Sequence, residues 1–287
     1  MENMIEKANI LIEALPYIRK FRGKEIVIKY GGAAMESEAM RKHILSDLVF
    51  MNYVGMRPIL VHGGGPAISR AMKERGITPH FINGHRVTDK EAIQVVAETL
   101  ANINKEIVHE ISQMGARAIG LSGYHNEVLN VVKRMDQGQD VGYVGDISSV
   151  NIMPIKELTE FNIIPVIYPL GIDENNEMYN INGDSACAKI AVAVGAQKLM
   201  VLTGIAGIMR DLNDPDTLLS TVRLKDVEML KEKKIISGGM LPKVTACVDA
   251  LNGGVKKAHI IDGRLKHSLL LEIFTDQGIG TEMIRDE

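Results

Sequence analysis

The chain has 287 residues, enough for one large α/β domain or two closely joined lobes with an ample apolar core. It is 46% hydrophobic and 24% charged, and its 33 Lys+Arg against 36 Asp+Glu give a net charge of −3, which gives no sign of a nucleic-acid-binding surface or a polybasic membrane patch. Two cysteines, Cys187 and Cys247, are too few for a disulfide scaffold, and each reads as a small buried hydrophobe.

The first segment carries Met4, Ala8, Leu11, Leu15 and Ile18 at alternating spacings of four and three, which places them on one helical face that Ile5 and Ile12 widen. Pro16 is expected to kink or end this helix. The apolar face must be buried, on the chain's own domain or on another subunit. Glu2, Glu6 and Lys7 interrupt the run a signal peptide needs.

Residues 25–30 (EIVIKY) read as a buried strand, followed by Gly31-Gly32 and a helix over 38–53. A second strand, 58–61 (PILV), runs into His62-Gly63-Gly64-Gly65-Pro66 and a helix ending near Gly76. A long helix over 91–113 and a strand over 117–121 come next. Strands around 128–133 and 143–147 flank residues 136–140 and predict a hairpin lying over the sheet. The buried-strand pattern resumes at 163–167, then a helix over 184–194, a strand over 198–202, a helix over 242–252 and a strand over 258–262. Such alternation predicts right-handed βαβ units and a largely parallel sheet. The most apolar stretch, 190–209, is broken by Gln197, Lys198 and glycines, so it reads as helix then strand and not as a membrane span. A soluble, cytoplasmic protein is expected. A polar stretch at 173–177 suggests a division between a substrate-side and a nucleotide-side lobe.

Three glycine turns stand where predicted strands give way to helices: Lys29-Tyr30-Gly31-Gly32, His62-Gly63-Gly64-Gly65 and Ser237-Gly238-Gly239-Met240. At the carboxyl ends of parallel strands, glycine lets backbone approach a ligand, and free helix-start N–H groups favour anions. Neither a G-x-x-x-x-G-K-[ST] loop nor a G-x-G-x-x-G turn closing the first βαβ unit is present, which argues against P-loop and dinucleotide-dependent chemistry. Lys29 lies in a buried-strand run and needs an anionic partner; Lys243 falls in the first turn after Gly238-Gly239. Asp184 fits as that partner and equally as a helix N-cap, and spacing does not choose between the two.

At these residues the chain resembles the amino acid kinase family, and within it the branch acting on N-acetylglutamate. The resemblance runs from about Leu15 to Met283. It includes Ile28-Lys29-Tyr30-Gly31-Gly32, Val61-His62-Gly63-Gly64-Gly65-Pro66, Asn83-Gly84-His85-Arg86-Val87-Thr88, Tyr179-Asn180-Ile181-Asn182-Gly183-Asp184 and Gly238-Gly239-Met240-Leu241-Pro242-Lys243. It implies a three-layer αβα sandwich around a mainly parallel sheet, with an N-terminal helix at 1–22, a substrate-binding and dimerisation lobe at 23–176, and a nucleotide-binding lobe at 177–287. The implied reaction is ATP-dependent phosphorylation of the side-chain carboxylate of N-acetyl-L-glutamate in arginine biosynthesis, with Mg²⁺ held mainly by the nucleotide phosphates and no metal ligands from the chain.

Carried over by residue, Lys29 and Lys243 would stabilise charge on the transferring phosphoryl and leaving group, with Asp184 holding both. Gly64 and Gly65 would offer N–H groups to the substrate, Arg86 would clamp its α-carboxylate, and Asn180 would fix the amide portion. Thr203, Gly204, Gly207, Gly238 and Gly239 would contact ATP, although relatives commonly carry an acid where this chain has Gly204. The N-terminal helix resembles one that interlaces dimers into a hexamer, a trimer of dimers. The stretch containing His259, Glu272 and Gly278 resembles an arginine effector site. A PII-type signalling protein is a further partner of this branch to which no residue here points. Aspartate or glutamate kinases lack the Arg86 motif and usually add C-terminal domains. A UMP kinase would need another acceptor loop, and a non-catalytic nucleotide sensor would lack Lys29, Lys243 or Asp184.

Overall fold

The fold is that of a computed structural model that describes residues 1–35, 37–275 and 278–286. Helix α1 (Glu2–Phe21) continues through Pro16 instead of ending there. The carbonyl that Pro16 leaves unbonded belongs to Ile12, which is exposed, so water can satisfy it. Only the last turn docks: Phe21 is buried and Tyr17 meets Phe274 edge-on, with centroids 6.1 Å apart.

The first two strands, β1 (Glu25–Tyr30) and β2 (Arg57–His62), flank α2 (Glu38–Tyr53), whose start is capped by Ser37 Oγ accepting from the Met40 N–H. Then follow α3 (Gly65–Glu74), a two-strand hairpin of β3 (Phe81–Ile82) and β4 (His85–Arg86), and α4 (Lys90–Gln113), whose N-cap is Asp89. Next come β5 (Arg117–Leu121), α5 (Gly123–Asn126), β6 (Leu129–Asp136), β7 (Gln139–Val150), α6 (Met153–Glu160), β8 (Ile163–Ile167), β9 (Leu170–Ile172) and β10 (Met178–Asn180). The remainder is α7 (Gly183–Val194), β11 (Lys198–Thr203), β12 (Thr221–Arg223), α8 (Val227–Glu232), α9 (Met240–Asn252), β13 (Lys257–Asp262), α10 (Ser268–Ile273) and β14 (Thr281–Ile284).

Eight strands form one sheet in the order β12-β14-β13-β11-β1-β2-β8-β5. The neighbours from β13 to β5 are parallel; β14 pairs antiparallel with β13, and β12 parallel with β14. Alternation along the strands divides the core into two layers. Val27, Ile59, Val61, Leu199 and Val201 pack with Ile155 of α6, Ile190 of α7 and Val244 of α9. Ile26, Ile28, Tyr30, Leu60 and Met200 pack with Leu48 of α2, Ile107 of α4 and Leu269 of α10. The result is the expected αβα sandwich, with β6, β7, β9 and β10 closing into a small separate ring.

Two local expectations change. Asp136 pairs with Gln139, so only Gln137 and Gly138, both at positive φ, make the turn of the β6–β7 hairpin. Ser237-Gly238-Gly239 follows helix α8, not a strand. The short elements β3, β4, β9, β10, β12, β14, α5, α6, α8 and α10 lack a run long enough for periodicity to register. Among the described residues no helix is long and apolar enough to cross a membrane.

Candidate active site

Lys29 sits on the α7 side of β1, the face it shares with Val27, and its ammonium cannot reach bulk water freely. It lies 3.1 Å from Asp184 Oδ1, while Lys243 Nζ lies 3.0 Å from Asp184 Oδ2. One carboxylate thus bridges two cations. Asp184 can do this because it is not the helix cap: Asn182 Oδ1 accepts the Asp184 and Ser185 N–H groups, leaving the Asp184 side chain free to turn outwards. Burial favours the neutral acid, but the charges and hydrogen bonds of Lys29 and Lys243 outweigh it and hold the carboxyl below its usual range.

Beside this bridge is a cavity of about 280 Å³, lined by Lys29 and Asp184, by the Gly63-Gly64-Gly65 turn, and by Arg86 and Asn180. Gly64 packs closely against α4: a Cβ there would lie 2.9 Å from Leu100 Cδ2 and 3.0 Å from Ile103 Cδ1, so those side-chain ends would have to move. No acceptor among the described residues meets the Gly64 or Gly65 N–H. Arg86 is buried at the end of the short hairpin, donates to Gly65 O at 3.0 Å and Ser69 Oγ at 2.8 Å, and stacks on Phe81 at 4.7 Å. Burial lowers its pKa, and no carboxylate among the described residues pairs with it. A buried guanidinium without a counter-ion on a cavity wall suits a carboxylate ligand.

A second cavity of about 870 Å³ opens next to the first and shares Gly84, His85, Ile181 and Asn182 with it. Gly238 and Gly239 line it, and Gly238 takes φ +51, a value suited to glycine, to turn the chain into α9 and so bring Lys243 to Asp184. Thr203 ends β11, Gly204 and Gly207 lie in the turn after it, and none of the three lines either cavity. Thr203 Oγ1 donates to Ile205 O at 2.6 Å, and a Cβ on Gly207 would lie 2.6 Å from Thr281 Oγ1.

On the far edge of the sheet, His259 Nδ1 lies 2.6 Å from Glu272 Oε1, and the Ile279 N–H donates to Glu272 Oε2 at 2.9 Å. A Cβ on Gly278 would come within 3.0 Å of the same carboxylate. These three residues line a cavity of about 230 Å³ together with Tyr17, Lys20 and Phe21 of α1. Glu272 is buried, not an exposed helix residue. Burial opposes its charge, yet His259 and the Ile279 N–H keep its pKa low; His259 is itself lowered, first by burial. Lys198 escaped the sequence reading because a lysine opening a strand resembles a surface residue. It is buried, its ammonium 5.2 Å from the Phe21 ring centre and facing Glu272 and Glu282. Cys187 and Cys247 are free and buried in the core.

Two ammoniums bridged by a buried carboxylate, beside unpaired glycine amides at the carboxyl ends of parallel strands, form an anion-handling site of the phosphoryl-transfer class. Residues 24–262 match the amino acid kinase family, and the chain belongs to it. The chain is similar to the acetylglutamate kinase of Heliobacterium modesticaldum, 47% identical over 99% of this chain and 100% of that protein. It is also similar to the acetylglutamate kinase of Desulforamulus reducens, 46% identical over the whole of both. Among solved structures it resembles N-acetylglutamate synthase from Neisseria gonorrhoeae complexed with coenzyme A and N-acetyl-glutamate, at TM-score 0.85, 26% identity, and coverage of 98% of this chain and 64% of the synthase. The same synthase complexed with coenzyme A and L-arginine superposes at TM-score 0.81 and 27% identity, covering 97% of this chain and 65% of that one. The chain therefore spans just under two thirds of the synthase's length.

Proposed function

We propose that this chain transfers the γ-phosphoryl group of ATP to the side-chain carboxylate of N-acetyl-L-glutamate, giving N-acetyl-L-glutamyl 5-phosphate and ADP for arginine biosynthesis. The observation that carries this reading is the Lys29–Asp184–Lys243 bridge standing beside a glycine turn and an unpaired Arg86 in one cavity. Near-full-length similarity to acetylglutamate kinases supports the choice of acceptor.

The acceptor needs no general base, since a glutamate-like carboxyl with pKa about 4.3 is already ionised near neutrality. The obstacle is repulsion between that carboxylate and the triphosphate. Lys29 and Lys243 offset it as point charges, and Asp184 holds them side by side and oriented until phosphate oxygens arrive. Gly64 and Gly65 donate to the acceptor and the transferring group, Arg86 grips the α-carboxylate, and Asn180 orients the acetamide. Thr203, Gly204, Gly207, Gly238 and Gly239 belong to the nucleotide side. In functional terms residues 23–176 form the acceptor lobe and 177–287 the nucleotide lobe. No three acidic or imidazole side chains gather to hold a metal among the described residues, and both Asp184 oxygens face lysines. Magnesium would ride on the nucleotide phosphates, where it would supply charge neutralisation.

The cavity formed by His259, Glu272, Gly278 and α1 is read as a feedback site for arginine, with Glu272 facing the guanidinium. Met4, Leu11 and Leu15 of α1 are 73%, 68% and 46% exposed, a face suited to pairing with another subunit in a cytoplasmic hexamer, a trimer of dimers. Coupled measurement of ADP release across acetylglutamate, glutamate, aspartate, carbamate and UMP tests the reaction. Turnover should be confined to acetylglutamate; turnover with carbamate or UMP but not acetylglutamate would sink it.

A further inference from the structure

Behind the glycine turn, a chain of hydrogen bonds fixes the positions of its own protons. Asn104 Nδ2 lies 2.8 Å from the Val166 carbonyl, which can only accept, so this end of the amide is the NH₂. Its other hydrogen faces His62 Nε2 at 3.1 Å, which must therefore accept and carry no proton. A neutral His62 then keeps its proton on Nδ1, 2.9 Å from the Gly63 carbonyl, to which it donates. Complete burial keeps the ring neutral, with its pKa pushed down to about 4.

This network acts on the site through one peptide plane. The Gly63–Gly64 peptide is planar and trans, so its C=O and N–H point in opposite directions. Drawing the Gly63 carbonyl back against His62 turns the Gly64 N–H forward, towards the cavity lined by Lys29 and Asp184. His62 itself stays off that face, because it is the register partner of Tyr30, whose side chain packs on the α2 and α4 side.

We propose that His62, held in its Nδ1–H tautomer by Asn104, is a positioning residue that aims the Gly64 amide at the reacting oxygens. The proposal rests on the phosphoryl transfer argued above. His62→Asn keeps an N–H near the Nδ1 position, His62→Gln moves it towards Nε2, and His62→Leu removes it. Because sub-ångström misplacement of a donor is costly, kcat should fall about 10- to 100-fold in the Gln and Leu variants. The Asn variant should stay within about threefold of the unaltered enzyme, and KM for ATP should hold steady in all three. Equal losses in Asn and Leu, or losses that track the fall in Tm, overturn the proposal.

The second measurement is the ¹⁵N spectrum of the His62 ring in the unaltered protein near neutral pH. A proton on Nδ1 and a bare Nε2 are expected, and a proton on Nε2 overturns the proposal. That spectrum can overturn the proposal even if the variants fail to fold. It is read without turnover, so its outcome is separate from whether the chain phosphorylates acetylglutamate.

Discussion

Lys243 Nζ lies 3.0 Å from Asp184 Oδ2, across 59 residues of sequence. Helices α7 and α9 pack against each other, with the small buried side chains Ala186, Cys187, Ala246 and Cys247 allowing a close approach. The same carboxylate holds Lys29, so two chain segments and one strand converge on a single buried charge.

Removing either cation should strike the chemical step. Lys29→Ala and Lys243→Ala are expected to lower kcat at least ~100-fold, the scale for losing one electrostatic donor. Steady-state kinetics at saturating acetylglutamate and ATP check this, and near-normal turnover in both variants would sink the mechanism.

Asp184→Asn leaves two neighbouring ammoniums without their shared counter-ion. Breaking a buried ion pair on one side costs roughly 3–5 kcal/mol, so Tm should drop clearly. Triphosphate oxygens can replace the lost carboxylate, so ATP should raise Tm more in this variant than in the unaltered protein. Differential scanning calorimetry with and without ATP measures both effects.

In the proposed reaction Arg86 would grip a group that does not change during transfer. Arg86→Ala should therefore raise KM for acetylglutamate more than it lowers kcat. Arg86→Lys should rescue little, because a point charge replaces neither the planar fork nor the stacking on Phe81.

The cavity at the far edge of the sheet is built partly from α1. Deleting residues 1–20 should leave active dimers and blunt inhibition by arginine, as read by sedimentation and by arginine titration of the rate. A truncated protein that stayed hexameric and equally sensitive would refute this assignment. Glu272→Gln should raise the arginine concentration needed for half-inhibition.

The pH dependence of stability has a definite sign. His62 titrates at about 6.5 when unfolded but at about 4 in the fold. As pH falls through that window the unfolded chain takes up a proton first, so stability is full above about 6.5 and declines towards about 4, by roughly 3 kcal/mol. Buried His259, also lowered, adds in the same direction. Urea unfolding across this range should show a shallower slope in His62→Asn.

The His62 network was not legible in the sequence, because nothing local to His62 names a partner 42 residues away. Longer elements were legible: α2 (Glu38–Tyr53) and β5 (Arg117–Leu121) match their expected bounds, since each has a run long enough to carry its period. Asp184 shows where local reasoning stops. It and Asn182 both suit a helix cap by residue type, and only the backbone geometry gives the cap to Asn182.

By itself the sequence determined the alternation of strands and helices, the buried character of Lys29, the glycine turns and the family. The first three depend on periodicity and residue type, which are properties of neighbours along the chain, while the family follows from the resemblance of several short motifs. Tertiary structure alone decided that Lys29 and Lys243 share Asp184, that Arg86 pairs with no carboxylate among the described residues, and that Glu272 is buried beside His259. It also decided that the α1 face stays open. These are relations between segments far apart in sequence, set by how helices seat on a twisted sheet, and no local pattern encodes a distance of that kind.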